Sequence, residues 1–519
     1  MSRIIKASTL AFLAATAVSG AAHAGGFDRG GVNIDLLFSP ERITSEATAT
    51  FVAPQRSIDN IARGSNSANI PAVRQGAIDA AVAANRDTLV RSAVAAGFIL
   101  QTQDLDAIEA FVLNPANQAT IATFLSNPAQ AAAVDATIAA PQFAPTLSVI
   151  QAGAEQAITA QVNAGLDAAL VPATQSNLDI DSDFVVPRLG WKMSVTDDAA
   201  CLGTYSEPYG ADANYGTNNA YSATAVSFGV ATRDYGLTCS YRFDGPELGI
   251  GKSSFRIIGG VSYQELTGTQ QRQSFLDFAN AGINSIGGIT NTAGIGRFDV
   301  EGDSIGYRIG AAFEVPDIAL RAVVLYHSKY DYDLSGFQDN RGFGALIPGT
   351  ALVPITMQTE IPQAVEVKLQ TGVAEGTLAF LNVKWQDWSQ LGIIPIVGGR
   401  NPATGGASNL SFDPLYRDGW TVTAGVGKVI NDFTNGSLSL TWDRGTSTTT
   451  GTQTDTWTMA AGVSINPNDN VEFRFGGALG LLTSGESLPA VGGDPANNIT
   501  YSFGNDVVSA VSGGLRVKF

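Results

Sequence analysis

Gly302-Asp303-Ser304-Ile305-Gly306 has the spacing of the nucleophile turn of a serine esterase, and His327 follows on the next apolar segment. That chemistry needs a strand, a sharp turn and a helix around the serine, so that its hydroxyl is presented to a base. Here the alternation runs straight on through Tyr307, Ile309 and Ala311, which argues against catalysis. Asp179, Asp181 and Asp183 are spaced like the first ligands of a calcium loop, but Phe184 stands where that loop requires Gly and no Glu follows at the twelfth position. They read as solvated loop acids, with a surface calcium ion near an outer rim as the alternative. His327 is the only histidine after His23, so a His-based metal cluster is excluded; it reads as a girdle or lumen residue. Cys201 and Cys239, the only cysteines, pair in an oxidising compartment or stand as two buried thiols. No catalytic residue, metal or cofactor is expected.

The elements that carry these residues are read from the rest of the chain. Arg3 and Lys6, an apolar run from Ala7 to Val18 and Ala22-His23-Ala24 form an export signal, so residues 1–24 are expected to be removed and the mature chain to begin at Gly25. Beyond it no stretch of about 18 apolar residues exists, and a membrane position would have to be held by strands. The formal charge of −17 argues against nucleic acid, whose counterions Lys and Arg must replace.

From about residue 184 onward the pattern has period two. Val511, Gly513, Leu515, Val517 and Phe519 fall on one face, with Ser512, Gly514, Arg516 and Lys518 on the other. Trp457, Met459, Ala461, Val463 and Ile465 repeat the arrangement. Short links such as Asn431-Asp432 and Asn466-Pro467-Asn468-Asp469 alternate with long Gly-rich ones at 271–295, 334–356 and 391–413. Short turns at one end and long loops at the other are the mark of an outer-membrane barrel, which must close because lipid cannot satisfy an open sheet edge. Strands are expected near 46–54, 184–195, 199–208, 220–243, 252–268, 297–315 and 318–333. The remainder lie near 358–373, 376–390, 415–429, 436–446, 454–465, 470–484 and 505–519, giving about fourteen antiparallel strands. All six Trp fall in or beside them, as an interfacial girdle or as ordinary sheet packing.

Residues 70–175 differ. They are Ala-rich and poor in aromatics, with Ile78, Val82, Leu89 and Val94 among helix formers and breaks at Pro115, Pro128, Pro141 and Pro145. They predict several short helices: a cap over the pore, a partner-binding lobe or a spacer.

Several segments resemble the FadL-type outer-membrane transporters of fatty acids and aromatic hydrocarbons. Leu37-Phe38-Ser39-Pro40, followed by Thr48 to Pro54, is similar to the family's lead into its first strand, without its Asn-Pro-Ala. Val186-Pro187-Arg188-Leu189 and Glu207-Pro208-Tyr209-Gly210 resemble its second and third strands. Ile361-Pro362-Gln363-Ala364-Val365 and Trp385-Gln386-Asp387-Trp388-Ser389 resemble a paired-strand signature. The resemblance covers most of the mature chain except the insertion. It implies a fourteen-stranded barrel, all-β apart from the helical insertion, with an N-terminal hatch inside at residues 25–45 that includes Phe27, Asp28, Leu36, Leu37, Phe38 and Pro40. It places the first strand and the start of its loop at 46–69, the insertion in the first outer loop and the rest of the barrel at 176–519. A third-strand kink at Pro208, Tyr209 and Gly210 would open the wall sideways, as Pro and Gly permit. Cys201 and Cys239 would lie near the periplasmic ends of strands three and four.

The expected function is hatch-gated uptake of long-chain fatty acids or other small hydrophobic molecules by passive diffusion, in a monomer surrounded by outer-membrane lipid and lipopolysaccharide. Phe275, Leu276, Phe278, Phe337, Phe343, Leu346 and Ile347 are the loop residues that either hold cargo or pack the loops on one another. Arg272, Arg341 or Arg400 would meet a carboxylate head group. The alternatives are a general hydrophilic porin and a barrel-anchored surface interaction protein.

Overall fold

Every second side chain along the strands faces a closed lumen, and the others face outward. The computed structural model describes residues 27–519 apart from 31–32, 64–70, 169–173, 181, 275–284, 287–288, 291–293, 344–345, 347, 403–404, 409 and 493–498. The export signal lies outside the described residues.

Fourteen antiparallel strands form the barrel. In chain order they are β1 (Ile43–Gln55), β2 (Phe184–Ser194), β3 (Ala199–Ser206 and Gly210–Asn214), β4 (Ser227–Leu248), β5 (Gly251–Ser274), β6 (Gly294–Val315) and β7 (Leu320–His327 and Tyr330–Asp339). There follow β8 (Leu352–Ile361 and Ala364–Ala374), β9 (Thr377–Gln386, resumed at Ile394–Val397), β10 (Leu410–Phe412 and Gly419–Asn431), β11 (Thr434–Arg444), β12 (Thr456–Asn468), β13 (Val471–Leu482) and β14 (Asp506–Lys518). Closure is made by β1, which pairs with β2 from Ile43↔Met193 to Val52↔Phe184 and with β14 from Thr44↔Lys518 to Gln55↔Val507. β1 is thereby paired on both of its sides, and the sheet closes on itself.

The outward face is apolar: Ile305, Leu479 and Val511 are exposed, whereas Arg516 and Glu472, on the same strands' inner faces or their neighbours', are buried. Inside the wall near the short-turn end, Glu46 lies 3.0 Å from Arg474, and Glu472 bonds Arg474 at 2.6 Å and Lys518 at 3.1 Å. These charges neutralise one another where strands β13, β14 and β1 meet.

Beyond the barrel wall a four-stranded sheet joins Ser57–Arg63, Thr174–Asp179, Gly485–Ser487 and Ile499–Phe503. The chain then enters the insertion, whose helices are α1 (Pro71–Leu100), α2 (Leu105–Leu113), α3 (Gln118–Ser126), α4 (Pro128–Ala139) and α5 (Ala144–Ala168). Asp104 and Asn127 cap α2 and α4 through their side chains, and Val94, Ile108, Val112, Ile121 and Val134 form the lobe's own core.

Gly302 to Gly306 lies inside the unbroken β6, as its alternation indicates, and its serine sits on a straight strand. Several strand bounds are corrected. β4 begins at Ser227 rather than near 220, and residues 334–339 and 352–356 are strand rather than loop. β9 stops at Gln386, and Trp388 turns into the lumen, where it is 1% exposed. It therefore belongs to no girdle. Trp191, Trp420 and Trp457 do face outward.

Candidate functional site

The lumen is filled from below by the segment before β1. Ile34, Leu36, Leu37 and Phe38 are buried against Ala200, Leu202, Ile258, Ala312, Val323 and Leu325 of the surrounding strands. A single 3-10 turn, Asp35–Phe38, compacts them, and Asn33 Oδ1 accepts the Asp35 amide to start it. Each buried apolar side chain of this kind stabilises the docked segment by about 1.5–3 kcal/mol before its ordering cost is subtracted.

Wall cations hold the same segment through its backbone and its acids. Arg188 Nη2 donates to the carbonyls of Arg29 and Gly30 at 2.8 and 2.9 Å, and Lys192 Nζ to those of Ser39 and Glu41. Lys368 lies 3.6 Å from Asp35, and Lys384 bonds Asp28. Phe38 is flanked by the guanidinium groups of Arg321 at 4.1 Å and Arg256 at 5.0 Å, cation–π contacts with an aromatic face. The cations come from β2, β5, β7, β8 and β9, so the segment is gripped around much of the circumference.

Between Ser206↔Asp234 and Gly210↔Ala231, β3 advances four residues while β4 advances three. The surplus residue turns β3 inward at Pro208–Tyr209, where Pro208 cannot donate to a ladder. The freed backbone groups bond the N-terminal segment instead: Arg29 N donates to Pro208 O at 2.8 Å, and Gly210 N to Phe27 O at 2.7 Å. A Cβ on Gly210 would lie 2.5 Å from the Arg29 guanidinium carbon, so a larger residue here would push the Arg29 side chain aside. Above Ser206, β3 pairs with β4 alone, and Phe184 to Pro187 of β2 pair with β1 alone. The wall is unpaired along that stretch of the β2–β3 seam.

Above the segment lies a cavity of about 370 Å³, within the size range of small-molecule sites. Phe27 forms its floor, edge-on to Trp388 at 5.8 Å, stacked near Phe412 at 6.1 Å and tilted against Tyr416 at 5.7 Å. Phe228 stacks on Phe412 at 5.2 Å, and Tyr209 meets Trp388 edge-on at 6.0 Å. The roof is Tyr215, Tyr221 and Tyr501, whose hydroxyls burial pushes up from their usual range. The two cations that line the cavity are both engaged: Arg29 with Asp212 at 2.6 Å and Arg56 with Asp506 at 3.0 Å.

Of the expected site residues, Phe27, Asp28, Leu36, Leu37, Phe38, Pro208, Tyr209 and Gly210 are brought together in the lumen, while Pro40 is exposed at its lower mouth. Cys201 and Cys239 face each other across β3 and β4 and are joined in a disulfide. The loop candidates do not converge. Phe275, Leu276, Phe278 and Ile347 lie outside the described residues. Phe337 stands on the outward face of β7, not in a loop, and Phe343 packs over Gly296. Leu346 is half-buried. The three head-group candidates are likewise scattered. Arg272 is buried on β5 over the Phe298 ring, Arg341 is bound to Asp339, and Arg400 reaches the Gly405 carbonyl. Sequence reasoning missed Trp388, Phe412, Tyr416 and the wall cations. One signal was present: Trp385 and Trp388 are three residues apart and cannot share a strand face.

A sequence profile of the outer membrane protein transport protein family OMPP1/FadL/TodX matches residues 88–479, which includes most of the helical insertion. Among curated proteins none matches in sequence. In fold the chain is similar to a Pseudomonas aeruginosa FadL homologue, with a TM-score of 0.59 at 13% identity over 97% of this chain and 98% of that one. It is also similar to the P. putida toluene transporter TodX, with a TM-score of 0.50 at 9% identity over 98% of each chain.

Proposed function

The chain belongs to the OMPP1/FadL/TodX family of transport proteins in the outer membrane of Gram-negative bacteria, and we propose that it passes small hydrophobic molecules, long-chain fatty acids among them, by passive diffusion past a movable N-terminal plug. The observation that carries this reading is the ring-lined cavity resting directly on Phe27, with the β3 kink beside it. An apolar molecule entering from the outer side gains about 25 cal/mol for each Å² it buries against those rings. Withdrawal of Phe27, Asp28 and Arg29 would free the backbone groups of Pro208–Gly210 and join the cavity to the unpaired β2–β3 seam, through which a hydrophobe would leave sideways into lipid. No step requires a bond to be made or broken, and we assign the protein no enzymatic activity. The packing of Ile34, Leu36, Leu37 and Phe38 across the lower lumen weighs against a general hydrophilic porin. A single barrel has no need of a second copy, and its apolar belt suits contact with outer-membrane lipid and lipopolysaccharide.

Uptake of labelled oleate and toluene by cells lacking their own hydrophobic channels, with a small sugar as control, tests the proposal. Entry of either hydrophobe without the sugar is expected. Sugar entry at a comparable rate would replace this reading with the porin.

A further inference from the structure

Beneath the kink the inner faces of β2, β3, β4 and β6 carry a run of buried polar atoms. Arg188 Nε, Thr204 Oγ1, Ser206 Oγ, Asp234 Oδ1, Thr238 Oγ1 and Arg308 Nη1 are buried with no hydrogen-bond partner among the described residues. Asp234 is 1% exposed, Ser206 2% and Arg308 3%. A buried polar group without a partner is costly, and a run of them from four strands calls for an explanation.

Their positions converge. Asp234 Oδ2 is occupied, accepting from Gln264 Nε2 at 3.1 Å and Tyr330 Oη at 3.2 Å, while Oδ1 faces Arg308 Nη2 at 3.6 Å, beyond hydrogen-bond distance. Both groups, with Thr204 Oγ1, reach over the bare backbone of Gly236, where a Cβ would stand 2.5 Å from the Thr204 hydroxyl and 3.2 Å from Arg308 Nη2. At the β2 end of the patch, a cavity of about 30 Å³ is lined by Arg188, Thr204 and Ser206 of the wall and by Asn33 and Leu36 of the plug. That is room for one oxygen-sized group.

We infer that this patch is a subsite for the hydroxyl group of an otherwise apolar cargo, a phenol or an alcohol, held after the plug has shifted. The inference rests on the proposed passage past the plug. The selection follows from donor and acceptor counting. A hydroxyl donates to Asp234 Oδ1 and accepts from Arg308 or Arg188, whereas a carboxylate only accepts and would face the charge of Asp234. A hydrocarbon leaves every one of these atoms unpaired. Arg308 and Asp234 also balance each other, which suits a neutral ligand. The apolar body has its place directly above, since Tyr330, which bonds Asp234, packs in one cluster with Phe27, Tyr209 and Trp388.

Equilibrium binding of 4-ethylphenol, ethylbenzene and 4-ethylbenzoate to the purified full-length barrel separates the three chemistries on one carbon frame. The wild-type protein is expected to bind 4-ethylphenol at least about tenfold more tightly than either of the others, the size of one well-made hydrogen bond. The double variant Thr204→Val/Ser206→Ala removes hydroxyls that hold no described partner, so it should fold as the wild type does and lose most of that preference. Arg308→Met should lose it as well. Equal binding of 4-ethylphenol and ethylbenzene by the wild type, or an unchanged preference in the double variant, would overturn the inference. Because binding is read without transport, ethylbenzene uptake with no phenol preference condemns the subsite alone, and absent uptake with the preference intact condemns only the transport reading.

Discussion

Asp28 of the N-terminal segment and Lys384 of β9 form an ion pair inside the lumen, with the Asp28 side chain 5% and that of Lys384 15% exposed. Asp28 also bridges the kink backbone at Tyr209, and Lys384 stands over the Tyr209 ring at 5.9 Å. One ion pair thus ties the plug, the kink and the far wall together.

Breaking a buried pair from one side leaves a desolvated charge and costs about 3–5 kcal/mol. Because the barrel wall does not depend on Asp28, that cost should fall on plug docking. Asp28→Asn is expected to raise single-channel conductance in planar bilayers and to expose the N-terminal segment to protease, with the barrel's melting unchanged. A conductance identical to wild type would show that the pair does not restrain the plug.

Deleting Tyr209 removes the surplus residue of β3 and lets the ladder with β4 run on from Asp234 to Ala231. Such a variant should still fold as a barrel, judged by heat-modifiable migration, while hydrophobe uptake falls by roughly an order of magnitude. Undiminished uptake would mean that cargo leaves by another path.

The Cys201–Cys239 link closes a separation of 38 residues and staples β3 to β4 below the kink. On the chain-entropy account a loop of that length contributes about 2–4 kcal/mol. Cys201→Ser is therefore expected to lower the barrel's unfolding temperature without slowing uptake, and mass spectrometry without reductant should find the linked peptides.

Trp388 is the tryptophan that meets Phe27, and its fluorescence should change when a hydrophobe occupies the cavity. Titration with oleate or toluene should alter the emission of the wild type but not that of Trp388→Phe. A full response from the variant would move the binding event away from this cavity.

The strands were legible because lipid outside and a polar lumen inside impose the same alternation on each of them. Val511, Leu515 and Arg516 suffice to read β14. The alternation fails as a guide where its polarity reverses. On β7, Tyr332 and Leu334 face the lumen while Asp331 and Asp333 face out, so from sequence the strand ends at 333 and Phe337 reads as a loop residue. The site was legible only through family resemblance, at Phe27, Asp28 and Pro208–Gly210. Trp388 and Tyr416 reach the lumen because β9 and β10 break at 387–393 and 413–418, and a break is set by contacts across the barrel rather than by local sequence. The wall cations gave no separate signal, since Arg188, Lys368 and Lys384 look like any inward polar residue until the acid or carbonyl opposite each is known.

Fixing the plug to the wall addresses the central claim most directly. Leu36 lies within 2.6 Å of where a Cβ on Gly190 of β2 would stand, so Leu36→Cys/Gly190→Cys places two thiols within reach of a short cross-link. Uptake of labelled oleate should be lost when the pair is cross-linked and return when the link is cleaved. Equal uptake in both states would contradict passage past a moving plug.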